Sequence, residues 1–393
     1  YKGVEIMQMV RESIIRYYYG KVPDLPNNQL AKVTESHINT SIVNIEVATF
    51  VVEHWKPDIF LGNMLVYSSW NPYYQVAKNN NIPYNVVSIS PFDYNTIILN
   101  RAELYEPKNK RFSKWVSTRS NGKYLNDAEN EQLDNFLNIR ISGESQTFKD
   151  SDFFTSNQVL GKKLKINKQK RNIFLFSNIF WDAGVSDTKA LYDDIFSWVF
   201  DTIDLVKGVS NVNLYIKPHP VETQGKLKYN NGIADFIKKR YPKLPENIFI
   251  IPPELKINTY ELFPYIDLGI VHQGTIGLEL LLQNIKVAVV GQAYYGVLNS
   301  VKNLSTVEGY KAMLLDDDDD DDYVINMEEV RLFSYFYFIK CFMPWGLTST
   351  AYADNFKGYS FDNIKGLKPG SDKYLDHLCN CILDADNTII ENW

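Results

Sequence analysis

The sequence predicts an α/β protein with two Rossmann-like, doubly wound domains that face a cleft. Three observations lead to this fold class. A chain of 393 residues is too long for one ordinary core, so two domains are expected. Continuous apolar runs alternate with segments of helical period, which is typical of parallel strands buried on both faces. Polar turns follow several of these runs, at the edge where open α/β sheets bind ligands.

The composition excludes several classes of function. Hydrophobic residues make up 45% of the chain and charged residues 22%, and no apolar run is long enough for a membrane helix. The net charge of -6 argues against nucleic-acid binding, which needs a basic face. Three cysteines in so long a chain argue against a disulfide framework and favour a cytoplasmic protein. No secretory signal is visible, but a chain that opens at Tyr1 reads as part of a longer protein, so this absence carries little weight.

Part of the negative charge comes from seven consecutive aspartates at positions 316–322. Such a run repels itself and more often forms a solvated loop than a cation site. No Asp-x-Asp motif stands at a strand end, since Asp384 and Asp386 follow the last predicted helix. The sequence therefore predicts no metal site.

The N-terminal domain, residues 1–160, is predicted to hold the acceptor. Helices are predicted over 1–19, 41–54 and 71–79, and strands over 59–61 and 84–89. The helix between the two strands makes a βαβ crossover. After Arg101 the alternation of apolar strands and helices becomes weaker. One helix is still predicted there, with Asn126 as its expected cap.

The basic run 161–171 is interpreted as the interdomain linker. Its lysines more often form a solvated face, but they would also suit an anionic acceptor or an acidic bilayer, and hence peripheral contact with the inner membrane. The C-terminal domain is predicted over 172–330. A helical segment, 331–393, is expected to pack across the domain junction, with its aromatic residues in the core.

Three strand ends of the C-terminal domain carry polar turns. The strand 173–176 leads into Ser177 and Asn178, and a helix is predicted over 188–207. The next strand ends at Lys217, and His219 follows it between two prolines, the second being Pro220. A histidine held in this way at a strand's carboxyl end is more suited to a ligand than to packing.

The third turn lies in a predicted βαβ unit. The strand 268–271 leads through Gly274 and Thr275 into a helix, 276–283, and a second strand, 285–290. The first amides of a helix are unpaired donors at the positive end of its dipole. This turn therefore predicts a phosphate site, in which the Thr275 hydroxyl is an N-cap, a phosphate ligand, or both.

These motifs, in this order, resemble those of the GT-B glycosyltransferases. The order is a "KPD" strand, an "IP" strand, KPHPVE at 217–222 and HQGTIGLE at 272–279. The resemblance is narrower to the bacterial capsule polysaccharide synthesis family, which includes transferases of Kdo from its CMP-activated form. It is specific over 173–296, and the N-terminal half matches in architecture.

The resemblance implies roles for several residues. His219 with Pro220, and Thr275, would face the donor phosphate, and Glu279 would hold the ribose hydroxyls. The residues themselves agree, because a carboxylate on an otherwise apolar helix is costly to bury without hydroxyl partners. The alternative for Glu279 is a salt bridge, and the role of His272 stays open.

The resulting expectation is a glycosyltransferase that moves a sugar from a CMP- or UDP-linked donor to a glycan or glycolipid acceptor. No cofactor is expected besides this nucleotide sugar. His219 would stabilise the leaving phosphate, and Asp93 or Glu103 would act as the catalytic base. The predicted donor-binding residues are Ser177, Asn178, Lys217, His219, Pro220, His272, Gly274, Thr275 and Glu279.

Other functions fit the same pattern. A UDP-sugar 2-epimerase or a CDP-polyol phosphotransferase would use the same architecture, because one scaffold hosts many chemistries. A non-catalytic assembly protein of a polysaccharide machine would keep the fold without turnover. Product analysis distinguishes the two enzymes, and nucleotide binding without donor hydrolysis would identify the assembly protein.

Overall fold

The computed structural model describes most of the chain as two compact units. The described residues are 1–18, 26–92, 95–101, 108–142, 164, 166–181, 190–223, 232–252, 255, 257–315, 323–345 and 367–383. Unit 1 contains Tyr1–Ile14, Leu25–Lys149 and Leu332–Trp393, and unit 2 contains Ile15–Asp24 and Asp150–Arg331. The aspartate run 316–322 and residues 161–163 and 165 of the basic run lie outside the described residues.

Unit 1 contains a four-stranded mixed sheet. The first elements of the chain are α1 (Met7–Tyr17), α2 (Asn27–Trp55), β1 (Phe60–Gly62), α3 (Tyr67–Asn79), β2 (Tyr84–Ile89), β3 (Thr96–Arg101), α4 (Lys108–Ser117) and α5 (Asp127–Ile141). β1 and β2 are parallel, whereas β3 pairs antiparallel with β2 and with β10 (Met343–Pro344). The strand order is β1-β2-β3-β10.

In unit 1, the helices and strands predicted from the strongest local sequence patterns are present in the structure. The strand 84–89 and the β1-α3-β2 crossover are confirmed. Helix α5 begins as predicted, with a capping box between Asn126 and Glu129. The predicted start of α2 at 41 is wrong, because the helix already begins at Asn27, in a stretch with few apolar residues. Strand β3 was not predicted.

The second half of the chain contributes a six-stranded parallel sheet in unit 2. Its elements are β4 (Arg171–Phe176), α6 (Ile195–Val206), β5 (Val212–Lys217), a 3₁₀ turn (Pro220–Thr223), α7 (Ile233–Arg240), β6 (Ile248–Ile250), a 3₁₀ turn (Thr259–Tyr265), β7 (Leu268–Val271), α8 (Ile276–Leu281), β8 (Lys286–Val289), β9 (Lys302–Asn303) and α9 (Val307–Leu315). The order is β6-β5-β4-β7-β8-β9, and every neighbouring pair is parallel.

The core of unit 2 explains why these runs form strands. One face of the sheet packs on α6, α7 and α9, and all its central apolar side chains are buried. The strand 268–271 is confirmed, and β4 starts two residues before its predicted start. Helix α6 begins at Ile195 rather than 188, where the Asp194 side chain accepts the Ser197 N–H at 2.8 Å.

The remaining elements are α10 (Met327–Tyr335), a π-helical turn (Phe336–Lys340) and α11 (Lys373–Leu383). As predicted, the aromatic residues near 333–342 lie in the core, since Phe333, Phe336 and Phe338 are buried. Among the described residues, no helix has the length and apolar character needed to cross a membrane.

Candidate functional site

The order of the six strands locates a candidate site at the carboxyl edge of the sheet. In chain order the strands are arranged 3-2-1-4-5-6, with β4 as the first strand and β7 as the fourth. The direction of winding reverses between these two strands, and ligands of such sheets bind beyond their carboxyl ends. Phe176 of β4 pairs in register with both Lys217 and Val271, so β4, β5 and β7 end at the same level.

Ser177 and Asn178 follow β4 at this edge. The Ser177 N–H donates to the Lys217 carbonyl at 3.1 Å. The Ser177 side chain is 5% exposed, and its Oγ has no hydrogen-bond partner in the described structure. The Asn178 Oδ1 lies 3.9 Å from the position that a Cβ on Gly274 would take. The turns after β4 and β7 therefore meet.

Lys217 brings a cation to the end of β5. Part of its side chain reaches the surface, but burial lowers the pKa of its ammonium to about 8. It forms no ion pair with the described carboxylates. An anion at this strand end would restore the stability of the charged form.

His219 is oriented by its own turn. Its Nδ1 accepts the Val221 N–H at 3.2 Å, so the proton of the neutral ring is assigned to Nε2. Pro220 opens the 3₁₀ turn that follows. The result is an imidazole whose Nε2–H is the donor group.

Glu222 is the residue at this edge that sequence reasoning did not select. It is 4% exposed, and its Oε2 accepts the Ile233 N–H at 2.9 Å. Its Oε1 has no hydrogen-bond partner within the described structure. Burial raises the pKa of its carboxyl to about 7, against the opposing effect of nearby backbone N–H groups. The motif KPHPVE includes Glu222, but helix α7, which packs against this residue, lies outside the motif.

The turn after β7 is packed tightly around His272. This residue is buried, and its carbonyl accepts the Gly291 N–H at 3.1 Å. A Cβ on Gly291 would lie 2.6 Å from the His272 Nδ1, so a larger residue there would displace the ring. The Tyr295 hydroxyl donates to the Gly274 carbonyl at 2.7 Å and fixes the next part of the turn.

Helix α8 differs in detail from its prediction. Thr275 occupies the N-cap position, as expected, but its backbone angles are helical and its side chain makes no capping hydrogen bond. The helix ends at Leu281, two residues before the predicted end. Glu279 is buried within it, one turn beyond Thr275. The turn therefore offers the Thr275 hydroxyl without a capping role.

The predicted bases are not placed by the structure, because Asp93 and Glu103 lie outside the described residues. Within the described ranges, no group of three or more His, Cys, Asp or Glu side chains is arranged to hold a metal ion. The predicted residues of β4, β5 and β7 do share one sheet edge. They bring to this edge the buried Ser177 hydroxyl, the half-buried Lys217 ammonium and the half-buried His219 imidazole.

Comparison with known families finds one match. The model of the family described as "Capsule polysaccharide biosynthesis protein" matches residues 84–300, which is more than half of the chain. These residues include the carboxyl ends of β4, β5, β7 and β8. No curated protein matches the sequence.

Comparison with solved structures finds remote similarities. The beta Kdo 2,4 transferase KpsC of Thermosulfurimonas dismutans has 13% identity and a TM-score of 0.40, with 68% of this chain and 76% of that chain covered. The beta Kdo 2,7 transferase of the same organism has 10% identity, a TM-score of 0.39, and coverage of 73% and 78%. UDP-GlcNAc 2-epimerase from Neisseria meningitidis has 12% identity, a TM-score of 0.35, and coverage of 86% and 97%.

Proposed function

This chain belongs to the capsule polysaccharide biosynthesis protein family, and from that premise we propose that it is a glycosyltransferase whose nucleotide-sugar donor binds at the carboxyl edge of the six-stranded sheet. The acceptor is a glycan or glycolipid of the cell surface. The donor to test first is CMP-Kdo, because the sequence motifs resemble those of Kdo transferases. The nucleotide phosphate lies at the ends of β4, β5 and β7.

The observation that carries this proposal is the pair of unsatisfied groups at Ser177 and Lys217. Within the described residues the hydroxyl has no hydrogen-bond partner and the shielded ammonium has no carboxylate, and both conditions cost free energy. A phosphate satisfies both at once, since it accepts hydrogen bonds and carries negative charge. Two adjacent parallel strands deliver these groups to the same edge.

His219 and Glu279 complete the donor site in this proposal. The Nε2–H of His219 donates to the phosphate and stabilises the charge that develops when the sugar departs. Glu279, which is buried one turn into α8, accepts hydrogen bonds from the ribose hydroxyls. Thr275 donates its hydroxyl to the same phosphate.

The proposed reaction is a substitution at the anomeric carbon of the donor sugar. The bond between this carbon and the phosphate oxygen breaks, and the electron pair leaves with the nucleotide. The acceptor hydroxyl oxygen bonds to the anomeric carbon through an oxocarbenium-like transition state. Its proton passes to a base, for which Asp93 and Glu103 are the proposed candidates.

A thermal-shift panel of CMP, CDP, UDP, GDP and ADP tests the donor site. A nucleotide at a hundredfold excess over its Kd should add about 2.7 kcal/mol of stability. We expect a response to a cytidine or uridine nucleotide that shrinks in His219→Ala and Glu279→Ala. The exposed Lys302→Met variant, on the edge strand β9, should respond like the wild type. If no nucleotide shifts the melting curve, the proposal is wrong.

A product assay separates the transferase from the other candidate functions. With CMP-Kdo and a glycan acceptor, mass spectrometry should detect the acceptor extended by one sugar, together with CMP. An epimerised sugar formed without acceptor would identify an epimerase instead. A polyol-phosphate product from a CDP donor would identify a phosphotransferase. Nucleotide binding without turnover of the donor would identify an assembly protein.

A further inference from the structure

The buried carboxyl of Glu222 has no role in the donor site described above. We propose that Glu222 is a positioning residue that holds His219 at the phosphate site and takes up a proton when the nucleotide binds. This inference rests on the proposed function, because it needs an anionic ligand at the turn after β5. It goes further because it assigns to that site a residue whose protonation changes when the nucleotide binds.

Glu222 contacts His219 through both its backbone and its side chain. Its N–H donates to the His219 carbonyl at 3.0 Å. Its carboxyl lies close enough to the His219 backbone N–H for that group to lower its pKa, although Oε1 meets no donor in hydrogen-bond geometry. The Glu222 carboxyl therefore lies beside the backbone of His219.

The other carboxyl oxygen ties the turn to helix α7. Oε2 accepts the Ile233 N–H at 2.9 Å, at the first turn of that helix. A Cβ on Gly232 would lie 2.4 Å from Oε2, so the carboxyl can approach only because this residue is glycine. The side chain thus fixes the His-Pro turn between β5 and α7.

The charges around Glu222 determine its response to a ligand. On α7, Asp235 raises the pKa of Glu222 by repulsion, and its carboxylate accepts the Gly232 N–H at 3.1 Å. On the turn after β5, the His219 backbone N–H acts in the opposite direction and lowers this pKa. Burial is the largest influence and already raises the pKa to about 7. The unliganded carboxyl is therefore partly protonated at neutral pH.

A nucleotide phosphate near His219 adds negative charge beside this carboxyl. Like charges disfavour ionisation in a poorly solvated site, so the carboxyl of Glu222 should become fully protonated when the phosphate is bound. The proton comes from solvent, and the neutral carboxyl keeps its bond from Ile233. Binding should then weaken as the pH rises above neutrality.

Isothermal titration calorimetry with CMP measures this proton uptake directly. The titration is done at pH 7 in buffers that differ in ionisation enthalpy, for the wild type, Glu222→Gln and the exposed control Glu246→Gln. Glutamine keeps the acceptor for the Ile233 N–H but cannot ionise. We expect the wild type and the control to take up about half a proton more per CMP than Glu222→Gln. Protons from CMP itself and from Lys217 cancel in this difference.

The outcomes distinguish this inference from the proposed function. If CMP binds and the wild type and Glu222→Gln exchange the same number of protons, the inference is wrong while the donor site stands. If neither CMP nor any other nucleotide of the panel binds the wild type, both fail together. A difference in proton number that grows between pH 6 and 8 supports the inference, because a purely structural role of Glu222 would not produce it.

Infrared difference spectroscopy gives a second test that does not require Glu222→Gln to fold. Adding CMP to the wild type at pH 7 should increase the absorption of protonated carboxylic acids and decrease that of carboxylates. The control Glu246→Gln should give the same change. A spectrum without a carboxylic acid band would contradict proton uptake.

Discussion

The two edges of the six-stranded sheet differ in how their buried polar groups are satisfied. At the amino edge, Asn213 donates to Asn172 at 3.3 Å, and the Asn172 N–H donates to Asp267 at 2.7 Å. At the carboxyl edge, the Ser177 hydroxyl and one oxygen of Glu222 have no partner in the described structure. Both edges belong to the same strands and are similarly buried.

This difference separates polar groups that stabilise the fold from those that are available to a ligand. Folding selects for pairing of buried polar atoms, because an unsatisfied one costs about 1 to 3 kcal/mol. Unpaired groups persist where they serve another purpose, and in open α/β sheets that place is the carboxyl edge. Substitutions at the amino edge should therefore lower stability, whereas those at the carboxyl edge should change nucleotide binding without lowering stability.

The largest stability effect is expected for Asn247→Ala at the amino edge. The Asn247 side chain donates to the carbonyls of Val206, Val209 and Val212 and accepts the Gly208 N–H. Loss of these contacts should lower the free energy of unfolding by about 4 kcal/mol, at about 1 kcal/mol for each bond. Urea unfolding measures this. The stabilisation that a saturating nucleotide adds should stay unchanged; its loss would contradict the division between the edges.

Glu222→Gln should change how stability depends on pH. The pKa of Glu222 is raised from 4.5 to about 7 in the folded protein. The ionised carboxyl therefore destabilises the folded protein, and this cost is absent below pH 4.5 and complete above about pH 7. The variant should therefore exceed the wild type in unfolding free energy by about 3 kcal/mol at pH 8. At pH 5 this difference should shrink to about 1 kcal/mol or less. Parallel urea curves at both pH values would test this, and equal differences would refute it.

Lys217→Met should change stability and binding in opposite directions. The pKa of Lys217 is lowered to about 8 in the folded protein, so the charged lysine is destabilising below pH 8 and this cost disappears as the pH rises through 10.5. The variant should be the more stable protein at pH 7. Its nucleotide affinity should fall about a hundredfold, or about 2.7 kcal/mol. Calorimetry beside Lys302→Met would detect this, and an unchanged Kd would exclude Lys217 as a phosphate ligand.

Ser177→Ala should have the smallest effect. Removal of an unpaired buried hydroxyl leaves stability unchanged or slightly higher. The nucleotide loses one neutral hydrogen bond, so its affinity should fall about tenfold, or about 1.4 kcal/mol. Thermal unfolding with and without nucleotide measures both quantities. A destabilised variant with normal affinity would mean that the hydroxyl supports the fold.

Sequence reasoning was most accurate where the signal was local. The apolar run at 268–271 and the capping box at Asn126 predicted the elements that the structure contains. It was least accurate where tertiary packing decides whether a segment is helical, as in the polar first half of α2. Strand β3 was not predicted, although it pairs with the preceding strand β2 as well as with Met343 and Pro344 of β10.

The site was predicted as separate turns that converge on the phosphate of one donor. The sequence identified Ser177, Lys217 and His272 by their places after apolar runs, but it did not indicate that β4 lies between β5 and β7. It also gave no reason to select Glu222, whose burial depends on helix α7. Nor did it indicate the contact of Tyr295 with the turn after β7.

The sequence by itself determined which segments become strands and helices and which polar residues follow them, because period, caps and turn residues act within a few positions of the chain. Only the tertiary structure decided which of these residues share an edge and which of their atoms stay unpaired. The order of strands and the burial of a carboxyl depend on contacts between distant residues, such as the bond from Asn172 to Asp267 across 95 positions. No local pattern in the chain specifies such contacts.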